Sequence, residues 1–195
     1  MYVITIKQLN KEYEGKKVLD NFELKIDKGQ KVLIKGNSGL GKTTLLRCLA
    51  GLEDYDGNIE VDGSLSYVFQ ENRFMPWLSI YENLLLPAKL NGNVDDEYKD
   101  KLYNIAKDLE VEEHLNKFPE EVSGGQLQRL SIIQGMLIEP DCLMLDEPLK
   151  SVEGQLYIKL YQYILNWSKQ NNTTLIYVTH EKVDENDFDN IINMI

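Results

Sequence analysis

Gly36-Asn37-Ser38-Gly39-Leu40-Gly41-Lys42-Thr43 has the spacing G-x-x-x-x-G-K-T directly after the apolar run KVLIK. The glycines let successive backbone N–H groups curl around phosphate oxygens. Lys42 reaches the outer phosphates, and the Thr43 hydroxyl suits Mg²⁺. Other apolar runs end in equally suggestive residues. CLML is followed by Asp146 and Glu147, LSYVF by Gln70, and TLIYVT by His180. Asp146 is of a type that holds Mg²⁺ through water, and Glu147 of a type that takes a proton from water. Gln70 is a weak, easily released contact for metal or water. His180 suits a terminal phosphate. Ligands of open α/β sheets bind beyond the carboxyl ends of the strands, so four such residues at four strand ends point to one site. A second anion-binding place is written in EEVSGGQLQR, where Ser123, Gly124 and Gly125 precede a helical pattern. One small domain has no evident use for two phosphate sites so far apart.

These residues need elements to position them. Val3, Ile4 and Ile6, then Phe22, Leu24 and Ile26, alternate around a turn at Gly15 and predict strands over Met1 to Asp27. KVLIK (31–35) predicts a strand and Thr43 to Leu52 a helix with Leu45, Leu46, Leu49 and Leu52 inward. GNIEVDGSLSYVFQ (57–70) predicts a hairpin turning at Asp62-Gly63. Residues 79–118 read as helical, interrupted by Pro87 and by the polar loop Asn91 to Asn93. Gln126 to Ile138 and Glu153 to Lys169 read as helices. CLML (142–145), TLIYVT (174–179) and NIINMI (190–195) read as strands. The strand that delivers Asp146 is expected beside the phosphate-loop strand. The alternation predicts an α/β fold, a parallel sheet with an antiparallel β region at the front.

A formal net charge of −11 argues against a protein built to grip nucleic acid. The apolar runs are too short to span a bilayer, and Met1 to Lys7 lacks the shape of a signal peptide. Cys48 and Cys142 stand in apolar surroundings without metal-ligand spacing and read as reduced core residues of a cytosolic protein.

In order, Tyr13, the loop 36–43, Gln70, VSGGQ (122–126), CLMLDEP (142–148) and His180 resemble the nucleotide-binding subunit of an ABC (ATP-binding cassette) transporter. The resemblance covers nearly the whole chain, and VSGGQ is its most specific part. It implies a P-loop NTPase core over 1–195 as a single ABC ATPase domain, with a helical subdomain inserted at about 72–138. It implies ATP and Mg²⁺ as cofactors. Nucleotide contacts would come from Tyr13 stacking on adenine, from Gly36, Asn37, Ser38, Gly39, Gly41, Lys42, Thr43 and Thr44, and from Ser123, Gly124, Gly125 and Gln126. Metal contacts would come from Thr43, Gln70 and Asp146, and the hydrolytic residues would be Glu147, His180, Lys42 and Gln70. In this family two cassettes bind head to tail, so the second phosphate site would complete a partner's first. Separate integral-membrane subunits are implied, with this chain peripheral on the cytoplasmic face of the membrane.

The chain departs from the family pattern at Leu149-Lys150-Ser151-Val152-Glu153, where small residues ending in Asp are usual and Glu153 would stand in for that Asp. Val122 replaces a leucine, the strands at 57–69 lack a common insertion, and the chain ends soon after His180, as a minimal cassette would. The cluster Phe74, Met75, Pro76, Trp77 and Leu78 either receives a partner's helix or fills the helical region's own core. Two other roles are open to the same motifs: a soluble ATPase driving a non-transport assembly, and a regulatory cassette that dimerises without cleaving.

Overall fold

The computed structural model describes residues 2–90, 92 and 94–194. Of the expected loop Asn91 to Asn93, only Gly92 falls within them, and the outermost ends of the first and last expected strands lie outside. Strands β1 (Tyr2–Tyr13), β2 (Lys16–Asp27) and β4 (Asp56–Val61) form an antiparallel sheet in the order β2-β1-β4. Strands β3 (Lys31–Lys35), β5 (Leu65–Val68), β6 (Cys142–Asp146), β7 (Thr174–Val178) and β8 (Asn190–Asn193) form a parallel sheet in the order β5-β6-β7-β3-β8. Helix α1 (Lys42–Leu49) follows β3. Helices α2 (Ile80–Leu90), α3 (Asp96–Asp108) and α4 (Gly124–Leu137) lie between β5 and β6, and α5 (Gly154–Gln170) between β6 and β7.

The central strands are apolar between their ends because both faces of the parallel sheet are covered. Alternate residues divide between two cores. Val32, Ile34, Cys142, Met144, Ile176 and Val178 pack with α1 and the antiparallel sheet. Leu33, Leu143, Leu145, Leu175 and Tyr177 pack with residues of α2 to α5. Cys48 and Cys142 are buried free thiols. The result is the α/β architecture expected, with parallel and antiparallel sheets and helices.

Four local expectations are corrected. Leu52 does not face inward: α1 stops at Leu49, Gly51 turns the chain at φ 67°, and Leu52 is 56% exposed. Residues 57–70 do not form a hairpin: β4 pairs antiparallel with β1, and β5 pairs parallel with β6. Asp62-Gly63 is a crossing between sheets, held by Asp141, whose carboxylate accepts from the Ser64 N–H at 3.0 Å. Pro87 does not interrupt a helix but lies inside α2. A proline cannot donate to the carbonyl four residues back, and that carbonyl, Asn83 O, instead accepts from Gln134 Nε2 at 3.1 Å. Finally, β6 is not beside β3, because β7 stands between them.

Candidate functional site

The carboxyl ends of β3, β6 and β7 open onto a cleft of about 700 Å³. Lining it are Tyr13, Asn37, Ser38, Gly39, Gly41, Lys42, Thr43, Thr44, Gln70, Asp146, Glu147 and His180, all expected, and Val18 and Lys150, which were not. Gly36 sits at the base of the loop, where a Cβ would lie 2.7 Å from the Met194 carbonyl. Gly41 enters α1 at φ 89° with its Cα against Val18, whose Cγ1 would lie 2.7 Å from an added Cβ. These two positions hold the loop between β2 and β8. Lys42, mostly buried, donates from Nζ to Gly36 O at 2.7 Å and Asn37 O at 2.9 Å. The loop thus wraps a cation in its own carbonyls while its N–H groups remain for an anion.

Asp146 is almost wholly buried. Its Oδ2 accepts from the Tyr67 hydroxyl at 3.1 Å, and its Oδ1 is buried without a hydrogen-bond partner. Burial pushes this carboxyl up, opposed by the neighbouring hydroxyls of Thr43 and Tyr67. Glu147 adopts φ 51°, an uncommon left-handed conformation for a non-glycine residue. Its N–H donates to Val178 O at 2.9 Å, which fixes the turn. Oε1 lies 2.7 Å from His180 Nδ1, and Oε2 accepts from Thr179 Oγ1 at 3.3 Å. A mostly buried carboxylate is therefore held at both oxygens at the mouth of the cleft. Gln70 is exposed in the loop after β5.

Tyr13 ends β1 with its ring 41% exposed. Lys11 Nζ sits 4.8 Å from the ring centroid and is itself held by Asp54 O at 2.6 Å and the Glu53 carboxylate at 3.2 Å. The hydrogen bond from Lys11 holds the Glu53 carboxyl below its usual range. Sequence reading missed Lys11 because the contacts that make it useful cross about forty residues.

Ser123, Gly124, Gly125 and Gln126 are not in this cleft. Ser123 caps α4: its Oγ accepts from Gln126 N at 3.4 Å, and its own N–H donates to Gln126 Oε1 at 2.9 Å. Such a capping box still leaves first-turn N–H groups without an intrahelical acceptor. Ser123 and Gly124 are exposed. Arg129, also missed, anchors this turn, donating to Leu109 O at 2.9 Å, Glu110 O at 3.1 Å and Gly125 O at 3.4 Å. Glu153 lies at the start of α5, exposed and without a side-chain cap bond. In the stretch after Gln70, Met75 and Trp77 are 39% and 70% exposed, whereas Phe74 packs against the core.

Residues 19–150 match the family model described as ABC transporter. This chain belongs to the ABC transporter family. It is similar to the "Spermidine/putrescine import ATP-binding protein PotA" of Thermotoga maritima, 34% identical over 193 residues, covering 93% of this chain and 52% of the relative. It thus spans about half the length of that protein. It is 35% identical over 188 residues to the "Aliphatic sulfonates import ATP-binding protein SsuB" of Bacillus cereus, covering 92% of this chain and 73% of the relative. Among solved structures it resembles the dimeric structure of MJ0796, "a Bacterial ABC Transporter Cassette". The TM-score is 0.90 at 26% identity, covering 98% of this chain and 94% of that one. Another dimeric MJ0796 structure, in a post-hydrolysis state bound to ADP and Pi, matches with a TM-score of 0.89 at 25% identity, covering 98% of this chain and 94% of that one. Both curated relatives are, by name, ATP-binding proteins of importers. No helix among the described residues is long and apolar enough to cross a membrane.

Proposed function

We propose that this ABC chain, as one cassette over 1–195 with a helical subdomain at about 72–138, binds and hydrolyses ATP to power an importer. ATP drives its head-to-tail closure on a second cassette. The observation that carries the reading is the separation of the two phosphate-binding places. The cleft has the loop, the carboxylates and the histidine, while the N–H-bearing turn at Ser123 to Gly125 lies outside it with Ser123 and Gly124 exposed. A second copy turned head to tail would bring that turn against the outer phosphate of the first, and the converse.

Within the cleft, the loop N–H groups and Lys42 bind the phosphates, and Tyr13 offers a ring face to the base. Gln126 steadies the partner-facing turn from its place in the capping box. Mg²⁺ fits the donor set. Thr43, Gln70 and Asp146 offer only hard oxygens, and the buried, unpartnered Asp146 Oδ1 is an acceptor in want of a cation. When bound, Mg²⁺ supplies positive charge at the phosphate oxygens. Glu147 accepts a proton from the attacking water at a carboxylate oxygen, and His180 holds both that carboxylate and the terminal phosphate. The exposed Met75 and Trp77, close in sequence to Gln70, suit a helix of an integral-membrane partner. The chain then works as a peripheral subunit on the cytoplasmic face. The two relatives' names agree on import and differ in cargo, so import is carried over and cargo is not.

The test is light scattering of the Glu147→Gln protein with saturating ATP and Mg²⁺. A dimer that dissociates when Mg²⁺ is chelated is expected. A monomer at high protein concentration and low salt would overturn the scheme.

A further inference from the structure

The two oxygens of Asp146 are treated unequally. Oδ2 is taken by the Tyr67 hydroxyl at 3.1 Å, while Oδ1 is buried with no partner. The register explains how Tyr67 reaches it. On the parallel β5–β6 pair Tyr67 lies opposite Met144. Asp146 is two residues further along the same face, a diagonal neighbour within reach of a long aromatic side chain. The ring also packs on Phe69. Its centroid is 4.2 Å from that of Phe69, and the Arg73 guanidinium lies 5.1 Å from the Phe69 ring. Tyr67, Phe69 and Arg73 line a small cavity of about 60 Å³ with Thr43, Gln70 and Asp146.

We propose that Tyr67 is a positioning residue for the metal. Its hydroxyl fixes the rotation of the Asp146 carboxylate, so that Oδ1 is the oxygen presented beside Thr43 and Gln70. The inference rests on the reading of Asp146 as a metal holder. A freely turning carboxylate would have to be ordered by the cation itself, and partners that orient a ligand commonly contribute about 10–100-fold to metal affinity. Tyr67→Phe removes the hydroxyl and keeps the ring against Phe69, so the fold has little reason to fail.

Mn²⁺ titration, followed by electron paramagnetic resonance on protein saturated with a non-hydrolysable ATP analogue, reads the effect directly. Tyr67→Phe is expected to weaken Mn²⁺ binding about 10-fold. Its melting temperature and its nucleotide affinity in EDTA should stay close to those of the unaltered chain. Asp146→Asn, measured alongside, should weaken Mn²⁺ binding further. If Asp146→Asn binds Mn²⁺ normally, the underlying metal reading fails and the proposal with it. If Asp146→Asn is impaired and Tyr67→Phe is normal, the role of Tyr67 alone is overturned. A Tyr67→Phe protein that loses melting temperature and metal-free nucleotide affinity in step with Mn²⁺ binding would reduce Tyr67 to a packing residue, which also overturns the proposal.

Discussion

The phosphate cleft and the turn at Ser123 to Gln126 both gather backbone N–H groups at a helix start, yet they are built differently. In the cleft the buried charged side chains are pinned. Lys42 is held by two carbonyls, Asp146 by Tyr67, and Glu147 by His180 and Thr179. At the turn Ser123, Gly124 and Gly125 are small, and among the described residues the side chains of Ser123 and Gln126 bond only within their own cap. A concave site with fixed donors orders its ligand at low cost in reorganisation. An exposed turn without walls has affinity to offer only when another surface supplies them. The contrast teaches that chemistry is stored in one region and its completion in the other.

The sharpest way to break this comparison is Glu147→Gln. Removing the proton acceptor should slow turnover by about 10²–10⁴ while leaving ATP binding intact, as steady-state hydrolysis and equilibrium titration would show. Equal loss of both would place Glu147 in binding instead. Gly124→Ala tests the other region. A Cβ at Gly124 meets nothing within 4 Å in this chain, and its φ is not left-handed. The monomer should therefore fold and bind ATP normally, while turnover falls on the order of 10²-fold through a displaced phosphate contact in the pair. Unchanged turnover would leave the exposed turn without a partner role. Lys42→Met sharpens the contrast from the cleft side. Losing charge-assisted bonds to phosphate should weaken ATP binding about 10–100-fold, measured on the monomer, where Gly124→Ala has no effect.

Much of both regions is legible in the sequence, for physical reasons. The middles of KVLIK, CLML and TLIYV are apolar because two cores cover the parallel sheet, and their ends carry the site residues in loops of short reach. The capping box at Ser123 and Gln126 is equally local. What the sequence hides acts at long range. Tyr67 and Asp146 stand 79 positions apart, and Arg129 and Leu109 stand 20 apart, with no periodicity to announce either contact. The false hairpin has the same origin. Asp62-Gly63 is good turn chemistry, but β1 and β6 offered each flanking strand a better neighbour than the other. Pro87 is tolerated because the carbonyl at Asn83 is satisfied by Gln134, 51 positions from that asparagine.

The smallest effect lies at the far end of β6, where Asp141 guards that crossing between sheets. Its Oδ1 pairs with Lys28 Nζ at 2.9 Å, and its Oδ2 accepts from Ser64 N at 3.0 Å and Ser64 Oγ at 3.1 Å. These bonds, Lys28 first, draw its carboxyl down to about 2 from an ordinary 3.8. The folded state therefore holds this proton less tightly than the unfolded chain does. The stabilisation is full above the unfolded value and is lost as pH falls through about 2. In urea unfolding, the unaltered chain should exceed Asp141→Asn at pH 7 by a small margin, since a solvent-screened pair contributes little. That margin should shrink as the pH approaches 2. ATP affinity and nucleotide-driven pairing should not change, because Asp141 lies at the opposite end of the strand from Asp146. A change in pairing would mean that the sheet crossing, and not the cleft and the exposed turn alone, governs how two cassettes meet.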